Sequence, residues 1–197
     1  MPEVTILCWK TSLPTASGHV TIADYINWRD AGEDGKPNLA QFIKERLYER
    51  YIDPVNALIS EEKNGFAVMA LSCLLIETLE SFYQGWPKSP NSQLAFCNFF
   101  DRHTTFHDFK GYAQGFYKNV RCGILHQGET IKRWTLTRKP DAPLFDKESL
   151  TVHATKFHHQ LSEAVTRYAE ELKESLITDD LWEKFYKKMN ATVEQCG

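Results

Sequence analysis

From Phe66 to Tyr83 the chain is apolar on nearly every side of a helical wheel. Such a helix has no polar face to turn to water, so other elements must wrap it on several sides. Its longest apolar run, Phe66 to Ile76, is too short for a bilayer span and leads into Glu77 and Glu80. A buried core helix is therefore expected, inside a fold made mainly of helices.

The flanking segments carry the matching pattern. Leu39, Phe42, Ile43, Leu47, Tyr51, Val55, Leu58 and Ile59 recur at three- and four-residue steps, one face of a helix. Pro37 and Asn38 suit its start, and Pro54 should kink or split it. After Gly85-Trp86-Pro87, Asn91 or Ser92 can cap a short helix bearing Leu94, Phe96, Phe99 and Phe100. A fourth helix is expected from about Asp108, with Phe109, Tyr112, Phe116, Val120 and Ile124 as its stripe. It should end between Leu125 and Gly128. Ile131 to Thr137 reads as a strand with Trp134 and Leu136 on one face, and a second strand is expected within Leu144 to Val152. Phe157, Leu161, Val165, Tyr168, Leu172 and Leu176 then mark a long helix. Asp180-Leu-Trp-Glu183 is a capping box for a last one that packs Leu181, Trp182, Phe185 and Met189 inward. Residues 1–37 read as an irregular arm, with a strand within Val4 to Trp9 and a loop from Asp30 to Pro37. The expectation is a mainly α protein. It has an arm over 1–37, a helical domain over 38–197, and a small β-hairpin inserted after the fourth helix.

Composition narrows the functions available. The net charge of −3 gives no general basic excess, so any nucleic-acid contact must come from a local patch. The five cysteines, Cys8, Cys73, Cys97, Cys122 and Cys196, are odd in number and scattered, which suits reduced thiols in a cytoplasmic protein. The start of the chain has no basic segment ahead of an apolar one, so no secretory signal is expected. There is no P-loop, no dinucleotide-binding glycine turn and no nucleophile elbow. His103 and His107 have helical metal-pair spacing but lack a completing ligand, so no metal is expected.

The chemistry concentrates between Phe116 and Thr130. Arg121 can fork two phosphate oxygens, and His126 can move a proton near neutral pH. Five steps of an ideal helix leave the two side chains roughly 140° apart. Either the helix ends between them, near Gly123, or a dimer brings two copies together. Glu77 is costly to bury unpaired and is a natural partner for Arg121. Asn119, Cys122, Gln127 and Glu129 stand beside the pair as supporting candidates. Lys118, Lys132, Arg133 and Trp134 are candidates for RNA binding, within a basic run from Lys110 to Lys139 in which Tyr117 and Trp134 offer rings for stacking.

Arg121-Cys-Gly-Ile-Leu-His126, at the end of a bundle helix and after the acid-bearing segment Leu74-Leu-Ile-Glu-Thr-Leu-Glu80, resembles the R-x4-H motif of the HEPN superfamily. The resemblance covers about residues 38 to 177 and is closest to prokaryotic toxin and phage-defence members. It implies a HEPN-like bundle and a metal-independent endoribonuclease. It implies products with 2′,3′-cyclic phosphate and 5′-hydroxyl ends, catalytic roles for Arg121 and His126, RNA as the substrate and no cofactor. It further implies a homodimer, and an antitoxin or defence-system protein as partner, with no membrane. Many active members have a polar residue after the arginine, where this chain has Cys122. Gly128 stands where some toxins have the tyrosine of H-x-Y. Cys122 and the acidic net charge point to the alternative, a non-catalytic HEPN module that binds a nucleotide, an RNA or a protein.

Overall fold

The computed structural model describes residues 5–59 and 64–196. The chain is mainly helical with two small sheets. It forms two units. One holds the chain up to Arg50, Ser81–Lys88 and the chain from Val165; the other holds Tyr51–Glu80 and Ser89–Ala164.

The described part of the arm is more regular than its sequence suggests. Strand β1 (Ile6–Cys8) pairs antiparallel with β2 (Val20–Thr21), and α1 (Ile22–Asp30) follows. Val4, the expected start of a strand, lies outside the described residues. Thr21 and Asp24 form a reciprocal capping box. Helix α1 buries only Tyr25, so it has no apolar stripe for periodicity to detect. Leu7, Cys8, Val20 and Tyr25 are all buried, which makes this segment part of a core rather than a loose extension.

Helix α2 (Lys36–Leu47) starts two residues before the expected Asn38, with Pro37 in its first turn, where the missing N–H has no cost. Its stripe of Leu39, Phe42, Ile43 and Leu47 is buried. Pro54 does perturb the helix. A π turn, Tyr48–Ile52, lies directly ahead of it and separates α2 from α3 (Asp53–Ile59).

Helix α4 (Gly65–Gln84) is long and apolar enough, by length and composition, to cross a membrane, and 56% of its most apolar window is buried. Val68, Met69, Cys73, Leu75, Ile76 and Leu79 form its inner face. It is not covered all round: Phe66 and Leu74 remain 37% and 39% exposed. Helix α5 (Ser92–Arg102) is capped by Asn91, whose side chain accepts from the Leu94 N–H.

The expected fourth helix is a composite. A 3-10 segment (Thr104–Tyr112) leads into α6 (Ala113–Phe116), a π turn (Tyr117–Arg121) and α7 (Cys122–Gln127). The stripe explains the wide turn. Phe116, Val120 and Ile124 follow at steps of four, each overshooting an α-helical turn by roughly 40°. A wider turn keeps such residues in line. Phe96, Phe99, Phe100, Phe106, Phe109, Phe116 and Phe157 form one buried aromatic cluster around this segment. Phe116 stacks on Phe157 at 5.4 Å and meets Phe109 edge-on at 5.7 Å. Truncating Phe116 to alanine would cost about 3–5 kcal/mol.

Strands β3 (Thr135–Thr137), β4 (Phe145–Asp146) and β5 (Thr151–His153) form a sheet in the order β3-β5-β4. The pairing differs from the hairpin expected between a strand in 131–137 and one in 144–152: β3 adds to β5 in parallel, and the antiparallel pair is β4 with β5. Helix α8 (Ala154–Glu174) buries Phe157, Leu161, Val165, Tyr168 and Leu172. Leu176, read as part of this stripe, lies past the helix end and is 64% exposed. Helix α9 (Asp180–Cys196) buries Trp182, Phe185 and Met189. Its start differs by one residue from the expected cap: Asp180 is already helical, and the Asp179 carbonyl accepts from Trp182 and Glu183.

Candidate functional site

Helix α7 does not break at Gly123. It runs on to Gln127 and closes with Gly128 in the left-handed region at φ 71°. The Gly128 N–H donates to Ile124 and the Glu129 N–H to Gly123. A Cβ at Gly123 would lie 2.4 Å from the Glu129 carbonyl oxygen, so only glycine lets the chain fold back here. The helix is therefore continuous from Arg121 to His126, and their offset of roughly 140° persists within one chain.

Arg121 ends the π turn and faces α4. Its Nε donates to Glu77 Oε1 at 2.7 Å, and both side chains are about one-sixth exposed or less, 15% and 16%. The expected pairing of Glu77 with Arg121 is present. Ser92 Oγ donates to the other Glu77 oxygen at 2.7 Å, so α5 also orients this carboxylate. The Tyr117 ring lies under the guanidinium at 5.7 Å. Burial works against the arginine's charge, but the hydrogen bond and charge of Glu77 outweigh it and hold its pKa above the ordinary value. Cys122 is half-buried and hydrogen-bonds with Tyr117 and Arg121. Cys73, one helical turn before Glu77, is fully buried, and burial pushes its thiol pKa up. Glu80, the second acid of α4, is buried and pairs with Arg102 at 3.1 Å.

The other candidates separate. His126, Gln127 and Glu129 are exposed. Asn119 is turned inward: its side-chain amide donates to the Gly115 carbonyl at 2.9 Å, and its backbone carbonyl accepts from the Ile131 N–H. Lys118, Lys132 and Arg133 are exposed. Trp134, by sequence either a stacking platform or a core residue, is 4% exposed and stacks on Phe145 at 5.4 Å. Its ring fills the core, because the apolar gap beside Gly115 accepts an indole that no base can reach. Tyr117, the other expected stacker, is occupied by Arg121. The basic run is also divided. Lys110 pairs with Asp101, and Arg138 is bound to Thr155 and the Ile59 carbonyl.

His103 and His107 do not act as a helical pair, since the segment between them is 3-10. His103 is buried against Phe99 at 4.4 Å, whereas His107 is exposed. Among the described residues no three histidine, cysteine or acidic side chains stand together as metal ligands.

Sequence reasoning missed Ser92 as a neighbour of the pair, whereas Cys73 is among the apolar neighbours of Glu77 that the sequence shows. Ser92 showed only as a helix-capping residue, and its distance from Glu77 in sequence hid the contact. Cys73 carried one usable signal, its i−4 spacing from Glu77. Chemically, the arrangement is a guanidinium braced at Nε, with no carboxylate on its terminal nitrogens among the described residues. That end can receive two oxygens of a phosphate. No model of a known family matches the chain, and neither a curated protein nor a solved structure does.

Proposed function

We propose that this protein is a HEPN-type endoribonuclease that cleaves RNA without a metal. The observation that carries this reading is the Arg121 guanidinium. Glu77 holds it by one nitrogen, among the described residues no carboxylate sits on its fork end, and His126 is exposed further along the same helical segment. In the reaction, the RNA 2′-hydroxyl loses its proton and attacks the adjacent phosphorus. Charge grows on the non-bridging oxygens, where Arg121 stabilises it. The bond to the 5′-oxygen breaks, and that oxygen takes up a proton. His126 serves as the acid or base. The products are a 2′,3′-cyclic phosphate and a 5′-hydroxyl.

The angular offset makes one protomer's set incomplete, so the active form is a two-fold dimer with both motifs lining one cleft. Exposed leucines around the pair support this. Leu74 precedes Glu77 by one turn, Leu94 follows Ser92, and Leu125 follows Arg121 by one turn. Such a nuclease fits cytoplasmic phage defence or a toxin–antitoxin pair, with an antitoxin or defence protein as partner.

The second reading is a non-catalytic HEPN module that binds a nucleotide, RNA or protein. It is favoured by Cys122 beside the guanidinium and by the 15% exposure of the Arg121 side chain. Incubating the purified protein with mixed-sequence RNA in excess EDTA separates the two. The nuclease reading requires cleavage that EDTA leaves unchanged and cyclic-phosphate ends. Intact RNA at every concentration leaves the binding module, and EDTA-sensitive cleavage would mean a metal nuclease.

A further inference from the structure

The chain that folds back from α7 makes an unusual turn. The Trp134 N–H donates to the Ile131 carbonyl at 3.2 Å, and the two residues between, Lys132 and Arg133, have φ of 50° and 67°. Positive φ at both central positions is the pattern of a type I′ turn, which asparagine and glycine adopt readily and long side chains do not. Here two cations occupy it instead. The flanks hold the conformation in place. Thr130 Oγ1 donates to the Trp134 carbonyl at 2.6 Å, Ile131 is bonded to Asn119, and the Trp134 ring is locked in the core.

Strain of this kind persists where the surroundings enforce it, and it concentrates at ligand-binding positions. Both side chains are exposed, as is Lys118 on the adjacent π turn, and among the described residues no carboxylate pairs with any of the three. In a protein of net charge −3, this is a local cationic point held at an energetic cost. The turn packs on the Gly123 side of α7. His126 lies about 60° from that side and Arg121 about 160°.

We propose that the Lys132–Arg133 turn is a phosphate-binding subsite, distinct from Arg121, that grips the backbone of single-stranded RNA on the His126 side of the helix. The choice of RNA as the polyanion rests on the ribonuclease reading; the cationic subsite itself does not. Lysine offers a point charge and arginine a fork for successive phosphates, contacts that carry affinity without base specificity.

The decisive variant is Lys132→Asn with Arg133→Gly, which keeps the turn and removes both the charge and the strain. The probe is a short fluorescent 2′-O-methyl RNA, which lacks the attacking hydroxyl and cannot be cut. The expected result couples two opposite changes. Affinity falls tenfold or more, with the log–log salt slope reduced by about 1.4 for two lost phosphate contacts, while Tm rises by about 2–4 °C. Lys132→Gln with Arg133→Gln, which keeps the strain, should lose the same affinity with Tm unchanged. Unchanged RNA affinity in either variant, or a lower Tm in the Asn-Gly variant, would overturn the proposal. So would an equal loss of binding to poly-glutamate, which would make the surface one for acidic proteins. Because the probe cannot be cleaved, a protein that binds through the turn but never cuts natural RNA sinks only the nuclease reading.

Discussion

Two sets of helix-borne glutamates in this molecule do similar electrostatic work to opposite ends. Glu45 and Glu49, on and just after α2, hold the segment that follows β1. Glu49 Oε2 accepts from the Trp9 and Lys10 N–H groups at 2.7 Å each. Glu45 accepts from the Thr11 hydroxyl, the Ser12 N–H and hydroxyl, and the Gln41 amide. Every one of these partners is a neutral group of the chain itself, and the bonds bind one stretch of chain to one helix. Glu77 instead holds a cation by one nitrogen, and among the described residues no carboxylate sits on its far end. The first arrangement is complete as folded. The second has capacity left over, and that difference separates a structural clamp from a candidate site more reliably than burial or charge does.

The comparison breaks most readily on activity. Arg121→Ala should lower RNA cleavage by about 10²–10³, the usual cost of a lost charge-stabilising donor. His126→Ala should lower it by about 10²–10⁴. Both should keep wild-type helicity, measured by circular dichroism. Glu49→Ala should leave the rate constant of the folded protein within a factor of two. A Glu49 variant as dead as Arg121→Ala, yet fully folded, would erase the distinction.

Next in size is the loss of the Arg121 brace. Glu77→Ala leaves a mostly buried guanidinium without its counter-charge, and denaturant titration should show a loss of about 2–4 kcal/mol. Glu77→Gln, which can still accept the hydrogen bond, should lose less stability but a substantial part of the activity. Equal stability in both variants would mean that the pair contributes no electrostatic brace.

Glu49→Ala should cost about 1–2 kcal/mol in the same titration, since it removes charge-assisted bonds to two backbone N–H groups that water can partly replace. An unchanged midpoint would show that the Trp9–Lys10 segment is held without it.

The smallest effect depends on pH. Burial raises the Glu45 pKa, but the hydrogen bonds from Ser12, Thr11 and Gln41 outweigh it and leave the carboxyl below its ordinary value. A depressed folded pKa contributes stability that is present above the unfolded value and lost as pH falls through the folded one. Acid unfolding of Glu45→Gln should therefore be shallower than wild type below the usual carboxylate range, with near-equal slopes at neutral pH. Identical acid profiles would remove Glu45 from the clamp.

Much of this molecule was already determined by local sequence. Apolar periodicity specifies α2, α4, α5 and α8, because burial of a stripe dictates its spacing. Asn91 specifies the start of α5 and Gly128 the end of α7, because caps are local chemistry. A charge inside an apolar helix demands a partner, so the Glu77–Arg121 pair was also legible. Tertiary structure decided the rest. Helix α1 has no stripe, and only packing shows Tyr25 buried. The parallel addition of β3 depends on which edge of β5 is left open after β4 pairs. Trp134 reads equally as a stacking platform or a core residue, until the space beside Gly115 takes it inside. The strain at Lys132 and Arg133 is invisible in their identities, since their positive φ values come from contacts with Asn119, Thr130 and the buried indole. Sequence specifies what short-range chemistry compels, and the fold alone supplies the long-range contacts that hold a side chain where its own preferences would not place it.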